Sequence, residues 1–273
     1  MSDIVLTYTH YFKESINSFL LKKGYSDNNI FYLIKNKNIL INNTIVRDKD
    51  EIIPFKKSLI KVTLNKEQSD LPYSDKSIDV IYEDDYFIIV NKPFNLDIEP
   101  TKSNYEDNFA TRVNNYFFNH GIESKIHLVN RLDKLTSGLV IVAKNRYIHN
   151  LFTKTKIKKE YLAEVEGYCK KKGTIKIKIK KEDNSMKRYV CDDGKLCISK
   201  YKTLSHYNNA SLVKVLLVTG RTHQIRVSFA HINHPLTNDP LYNTNAKSNN
   251  MKLIACSLKF IHPITKKKIN VSL

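Results

Sequence analysis

The chain has little cysteine, and none of it is paired in sequence. Cys169, Cys191, Cys197 and Cys256 stand apart with no CxxC spacing, which argues against a zinc site and gives no sign of a disulfide framework. Long apolar runs are missing too: none approaches the ~20 residues that a membrane-spanning helix requires. The opening residues MSDIVLTYTH show neither a basic start leading into an apolar stretch nor an arginine-rich amphipathic pattern, so no export or transit signal is expected. A soluble, cytoplasmic protein is the expectation, with a monomer as the default. Acidic residues are scarce: 27 Asp and Glu face 45 Lys and Arg, a net charge of +18 and a sequence pI near 9.5. That excess is the footprint of a nucleic-acid partner, with a membrane surface as the rival. The chain is also crowded with Asn, Ile and Lys, so the charge supports a nucleic-acid reading without proving it.

What is present divides in two. A length of 273 residues suits a small domain followed by a larger one. From Tyr11 the pattern reads helix, turn, helix, hairpin. Phe12, Ile16, Phe19 and Leu20 recur at helical spacing, and Gly24 stands where a left-handed cap is needed. Ser26 can cap a second helix whose apolar face is Ile30, Leu33 and Ile34. ILINNTIV then places Asn42 and Asn43 at a tight hairpin turn, and Leu59 to Leu64 closes the unit as a strand. This segment resembles the S-four-like RNA-binding domain in element order and in KNKNILINNTIVRDKDEI. In such domains the helices and hairpin present basic groups to structured RNA, which makes Lys22, Lys23, Lys35, Lys37 and Arg47 the candidates as a cluster. Singly, each reads as a solvated surface residue.

Domain boundaries are expected at 1–64, with a polar linker over 65–77 (it carries Pro72 and lacks periodicity) and a second domain over 78–273. The first strand of that domain is expected at Tyr86 to Asn91, stopped by Pro93. Strand-like runs at Ile175 to Ile179 and Leu212 to Val218, with few long helices, predict an α+β fold with a mixed, largely antiparallel sheet. The lysine-rich stretch from Lys170 to Lys181 reads as an exposed hairpin edge, with RNA contact as the other reading.

NRLDKLTSGLVIVAK, from Asn130 to Lys144, sets Asp133 in a tight polar loop that feeds a short apolar strand. On these residues alone a positioned functional carboxylate and a decorated surface loop are equally open. Two further segments belong with it, KKEYLAEVEG (Lys158 to Gly167) and VTGRTHQIRVSFAHINHPLTNDPLY (Val218 to Tyr242). With DVIYEDDYFIIVNKP (Asp79 to Pro93), the set resembles the RluA-type family of pseudouridine synthases across the whole second domain. The pairing of RLDxxTSG with GRTHQIR is highly specific.

The resemblance implies isomerisation of uridine within RNA, with no cofactor and no metal. The ribose-to-nitrogen bond must break, the uracil must rotate while held, and its carbon 5 must join the same sugar carbon. A carboxylate can capture or stabilise the cationic sugar, and Asp133 matches the family nucleophile. To stay charged beneath a base it needs a permanent cation, and Arg226 matches the arginine that pairs with it. Tyr161 matches the active-site tyrosine, expected to act as base and to stack on uracil; its other reading is a half-buried strand tyrosine. Arg131 matches a position that helps extrude the nucleotide or hold a phosphate, with a structural salt bridge as the alternative. Asn130, Thr136, Arg221 and His223 fall within these motifs and are expected to face the substrate.

GRTHQIRVSFAHI is expected to begin a helix at Thr222 as N-cap, with Ile225 and Phe229 buried. His223, His231 and His234 lack the carboxylate spacing of a metal site. The chain departs from the family at Asn130 (a histidine in most members), at KPFN for KPAG (Asn95), at Glu99-Pro100 for His-Pro, at Asn238 for the glycine of GD, and at Ser228. These bear on loop shape and RNA fit. A family member attached to such an N-terminal domain is expected to act on ribosomal RNA, with transfer RNA possible. The competing readings are a catalytically silent RNA-binding or ribosome-assembly protein on the same fold, and a nucleoside hydrolase.

Overall fold

A computed structural model describes residues 3–183 and 185–273. The chain forms two compact units: one holds the residues up to Ile89 with 105–130 and 141–155, and the other holds 90–104, 131–140 and 156–273. No helix among the described residues is long and apolar enough to cross a membrane.

In the first unit, two short helices lie against a four-stranded sheet. Ile16–Lys22 is capped by Ser15, and Asp27–Lys35 by Ser26, whose hydroxyl accepts from the N–H of Asn29 at 3.3 Å. Asn42 and Asn43 take φ of 52° and 68°, the left-handed pair that a two-residue hairpin turn demands. The sheet runs Val5–His10, Ser58–Thr63, Ile39–Ile41, Thr44–Ile45. Its first strand was not expected from the sequence. Val5–His10 pairs antiparallel with Ser58–Thr63, Leu6 opposite Val62, and the alternation of VLTYTH is the signal that could have shown it.

Ile16, Phe19, Leu20, Ile30, Leu33, Ile39, Ile60 and Val62 are buried and form the core of this part. Tyr25 stacks on Tyr147 with ring centres 3.8 Å apart, and the Tyr147 hydroxyl donates to the carbonyl of Lys23 at 3.0 Å. Residues 65–77 contain neither helix nor strand. They are tied down nonetheless: Asn114, on the helix Phe109–Asn119, donates to the carbonyl of Leu71 at 2.8 Å. A strand at Asp79–Glu83 precedes Phe87–Lys92, so the run beginning near Tyr86 is the second strand of its region and not the first. Half-exposed throughout, Asp79–Glu83 lacks the apolar run that made its neighbour legible.

The second unit is built on a broad sheet. Across it run Arg188–Val190, Lys172–Lys181, Lys195–Tyr207, Ala210–Leu217, Lys158–Glu166 and Leu253–Ile261, each antiparallel to the next. Lys268–Ser272 adds a further antiparallel strand. The strand beginning at Ser137 is parallel to Leu253–Ile261, which makes the sheet mixed but largely antiparallel, the α+β class expected. On Lys172–Lys181, Ile175, Ile177 and Ile179 turn inward and the alternating lysines outward. The helix Gln224–His231 buries Ile225 and Phe229. Its N-cap is His223, not Thr222: the chain turns left-handed at His223, φ 57°, and no side chain caps the helix.

Candidate active site

The loop carrying Asp133 is fixed in three ways, all within the second unit. Gly138 sits at φ +111°, and a β-carbon there would lie 2.4 Å from the carbonyl oxygen of Ala255. Only glycine lets the strand approach this closely in this conformation. The N–H of Thr136 donates to the carbonyl of Asp133 at 3.0 Å and closes the turn. Lys92, fully buried, donates from Nζ to the carbonyls of Pro93 at 3.0 Å, Leu96 at 2.8 Å and Lys134 at 3.1 Å. Three acceptors match the three protons of an ammonium. Burial pushes the Lys92 pKa down to about 8, against the opposing pull of Asp97 and Asp133.

Sheet register supplies the next residue. Gly138 and Tyr161 both lie opposite Ala255, from either side of the strand Leu253–Ile261. Tyr161 is therefore one strand removed from the end of the Asp133 loop. Its phenol is buried, and burial together with the charge of Asp133 raises its pKa. The phenol rests uncharged.

Arg226 comes from the helix Gln224–His231 and is 3% exposed. Its Nε and Nη2 donate to the two carboxylate oxygens of Asp239 at 2.7 and 2.6 Å, a bidentate pair. Nη1 is left facing Asp133 Oδ2 at 3.6 Å. Burial works against the guanidinium charge, but Asp239 and Asp133 outweigh it and hold the pKa above the usual arginine value. His223 Nε2 lies 3.7 Å from the same oxygen, and His223 Nδ1 lies 2.8 Å from the Tyr242 hydroxyl. Beside the loop opens a cleft of about 580 Å³ bordered by Phe94, Asn95, Lys134, Leu135, Pro240 and Asn250.

Such a site can hold an ionised carboxylate against a cation and offer a flat uncharged ring next to it. Among the described residues no group of His, Cys, Asp and Glu is placed to hold a metal ion. The RNA pseudouridylate synthase family model matches residues 86–231, a span that includes Asp133, Tyr161 and Arg226.

The chain belongs to the RNA pseudouridylate synthase family.

It is 32% identical over 241 residues to a Bacillus subtilis (strain 168) protein named uncharacterized RNA pseudouridine synthase YhcT, covering 84% of this chain and 77% of that one. Over 236 residues it is 33% identical to ribosomal large subunit pseudouridine synthase D of Buchnera aphidicola subsp. Acyrthosiphon pisum, covering 81% and 73%. The solved structure of human RNA pseudouridylate synthase domain containing 1 shares the fold, with a TM-score of 0.61 at 22% identity over 74% of this chain and 85% of that chain. The chain is an RNA pseudouridine synthase, an isomerase of uridine in RNA.

The other residues expected at the synthase site are placed differently. Arg131 is exposed and pairs with Glu99 at 3.0 Å, a surface ion pair of small worth. Thr136 is buried and serves the turn. Arg221 is exposed, its N–H donating to Gln224 Oε1 at 3.0 Å. Asn130 belongs to the first unit, where its carboxamide oxygen accepts from the N–H of Ile141 at 2.9 Å. Lys22, Lys23, Lys35, Lys37 and Arg47 are all exposed in the first unit. Lys22 is paired with Glu14 at 2.6 Å.

Two departures from the family pattern have a plain explanation. Asn95 and Asn238 take φ of 56° and 57°, the left-handed conformation that glycine adopts freely and asparagine tolerates. Asparagine for glycine keeps the loop shape. Sequence reading assigned no role to Lys92, Asp239 or Tyr242. Asp239 was visible only as the second letter of a motif, and its partner Arg226 is thirteen residues away.

Proposed function

We propose that this synthase modifies uridines of ribosomal RNA, acting as a cytoplasmic monomer, with Asp133 as the nucleophile. The observation that carries the assignment of Asp133 is the approach of Arg226 Nη1 and His223 Nε2 to one carboxylate oxygen, at 3.6 and 3.7 Å. Both approaches fall on Oδ2, from a permanent cation and an imidazole, and leave Oδ1 for the sugar. Oδ1 bonds to, or electrostatically stabilises, C1′ as the bond from C1′ to N1 breaks and its electron pair leaves on the uracil ring. The released uracil turns, C5 forms its bond to C1′ as Asp133 is freed, and the C5 proton is lost while N1 takes up a proton from water, which completes an isomerisation.

Tyr161 stacks on the uracil during that turn. Its hydroxyl relays the C5 proton as an uncharged phenol, since its raised pKa makes a resting phenolate the wrong starting state. Arg131 exchanges Glu99 for an RNA phosphate as the target nucleotide flips out. Residues 1–64 form an S-four-like domain whose exposed Lys22, Lys23, Lys35, Lys37 and Arg47 grip structured RNA, 65–77 is its linker, and 78–273 is the catalytic domain. Ribosomal RNA is favoured because a relative 33% identical is named for the ribosomal large subunit.

Deleting the gene and mapping pseudouridine across total RNA tests this reading. Sites should vanish from ribosomal RNA and return with the wild-type gene but not with Asp133→Asn. Loss confined to transfer RNA would overturn the substrate, and full rescue by Asp133→Asn would overturn the nucleophile.

A further inference from the structure

His223 is held in an unusual way for a residue at the start of a helix. Its backbone is left-handed, φ 57°, and its side chain makes no capping bond. A side chain at a helix start ordinarily earns its place by capping. A non-glycine residue in that conformation persists only where its surroundings impose it. The ring reaches instead between Asp133 Oδ2 and the Tyr242 hydroxyl, 3.7 and 2.8 Å away.

The Tyr242 hydroxyl also accepts from the backbone N–H of Arg188 at 2.8 Å. An amide N–H can only donate, so the phenol is the acceptor there, and its own single proton goes to the remaining partner, His223 Nδ1. With Nδ1 as acceptor, the neutral imidazole carries its proton on Nε2, the nitrogen that faces Asp133. The opposite tautomer would place the Nε2 lone pair against the carboxylate charge and leave the tyrosine proton unplaced.

We propose that Tyr242 fixes His223 as the tautomer protonated at Nε2, so that His223 is a positioning residue that steadies Asp133 Oδ2 alongside Arg226. This rests on the reading of Asp133 as the nucleophile. At 3.7 Å the contact is a charge-to-dipole one, and such contacts tighten to hydrogen bonds when substrate closes the site. The charged groups acting on the imidazole are Asp133, Arg226, Arg188 and Asp239, with Tyr242 in contact. Burial, aided by the two arginines, outweighs the two carboxylates and lowers the His223 pKa, which keeps the ring neutral. Arg188 opens the strand Arg188–Val190 on the exposed lysine hairpin, so the backbone of that hairpin sets the position of the phenol.

The test combines nitrogen-15 NMR of the intact protein with single-turnover assays on total RNA from the deletion strain. Wild-type His223 should show a protonated Nε2 and an unprotonated Nδ1. Tyr242→Phe, which keeps the ring against Arg226, should give a mixture of tautomers. It should also slow the chemical step about 10-fold, the worth of one hydrogen bond to a charged group, with the RNA dissociation constant unchanged. His223→Gln, whose amide can still donate, should retain more rate than His223→Ala.

A protonated Nδ1 in the wild type, a wild-type rate in Tyr242→Phe, or equal losses in the two His223 variants would overturn the proposal. If Tyr242→Phe fails to fold, the wild-type spectrum and the His223 pair still decide. A wild type that forms no pseudouridine would sink the functional reading instead, and the spectrum would still judge the tautomer.

Discussion

Asp239 grips the guanidinium of Arg226 side-on, through Nε at 2.7 Å and Nη2 at 2.6 Å, with both side chains buried. Asp239 is itself fixed, since its Oδ1 accepts from the N–H groups of Leu241 at 2.9 Å and Tyr242 at 3.3 Å. Two of the three guanidinium nitrogens are thus committed, and the third is aimed at Asp133. An arginine bound only to Asp133 could swing. This one cannot, so the cation is in place before RNA arrives.

Removing that grip should cost both stability and rate. Asp239→Ala leaves a buried guanidinium without its partner, a loss of about 3–5 kcal/mol, readable by urea denaturation. Asp239→Asn keeps the shape and one acceptor and should lose less. If Asp239→Ala unfolds at the wild-type urea concentration and turns over at the wild-type rate, the orientation of Arg226 does not depend on Asp239.

Gly138→Ala should be among the most damaging single-methyl changes in the chain. Its β-carbon would meet the Ala255 carbonyl oxygen at 2.4 Å in a conformation that L residues rarely adopt, a loss of at least about 2 kcal/mol. Because the strand would have to back away from Leu253–Ile261, the Asp133 loop should shift with it. Thermal melting and the single-turnover rate measured together check this, and a fully active, equally stable variant would contradict it.

Lys92 predicts an alkaline limb in activity that is not unfolding. The folded protein releases this proton near pH 8, while the unfolded chain holds it to about 10.5. Between those values the unfolded state binds more protons, so this group's contribution to stability rises with pH. What falls is the hold on the Lys134 carbonyl, and with it the placing of Asp133. The rate should therefore decline from about pH 8 upward without a matching fall in melting temperature, and the limb should be absent in Lys92→Met. A limb unchanged by that substitution would assign the titration elsewhere.

RNA affinity should fall steeply with salt, as expected when lysines displace counterions from phosphates. Charge removal at Lys23, Lys35, Lys37 or Arg47 should each lower the salt slope by about 1. Lys22 should matter less, being already paired with Glu14 at 2.6 Å. Filter binding across a salt series measures this, and slopes unaffected by all five changes would place the RNA grip outside residues 1–64.

What was legible in the sequence was local. The Asn42-Asn43 turn, the Ser26 cap and the apolar strand after Asp133 each announce themselves within a few residues, and RLDxxTSG with GRTHQIR identified the family. Strand Val5–His10 was missed although VLTYTH alternates, because so short a run gains its weight only from pairing with Ser58–Thr63, some fifty residues away. Thr222 looked like an N-cap because its hydroxyl suits the role, but the tertiary contacts of His223 moved the cap by one residue. Lys92 stands in a family segment, but its role was not legible, since a lysine after an apolar strand reads as the strand's end. Buried pairings such as Arg226 with Asp239 belong to the folded chain, and their lying thirteen residues apart in one segment does not reveal them.

The most direct test of the central claim follows the hydrogen at carbon 5. RNA from the deletion strain, labelled with tritium at C5 of uridine, is given to the purified protein, and released tritium is counted alongside the positions converted. Wild type should release tritium in proportion to pseudouridine formed in ribosomal RNA, and Asp133→Asn and Asp133→Ala should release none while still binding the RNA. Release by the Asp133 variants at the wild-type rate would contradict the account, as would no release by the wild type from any RNA fraction.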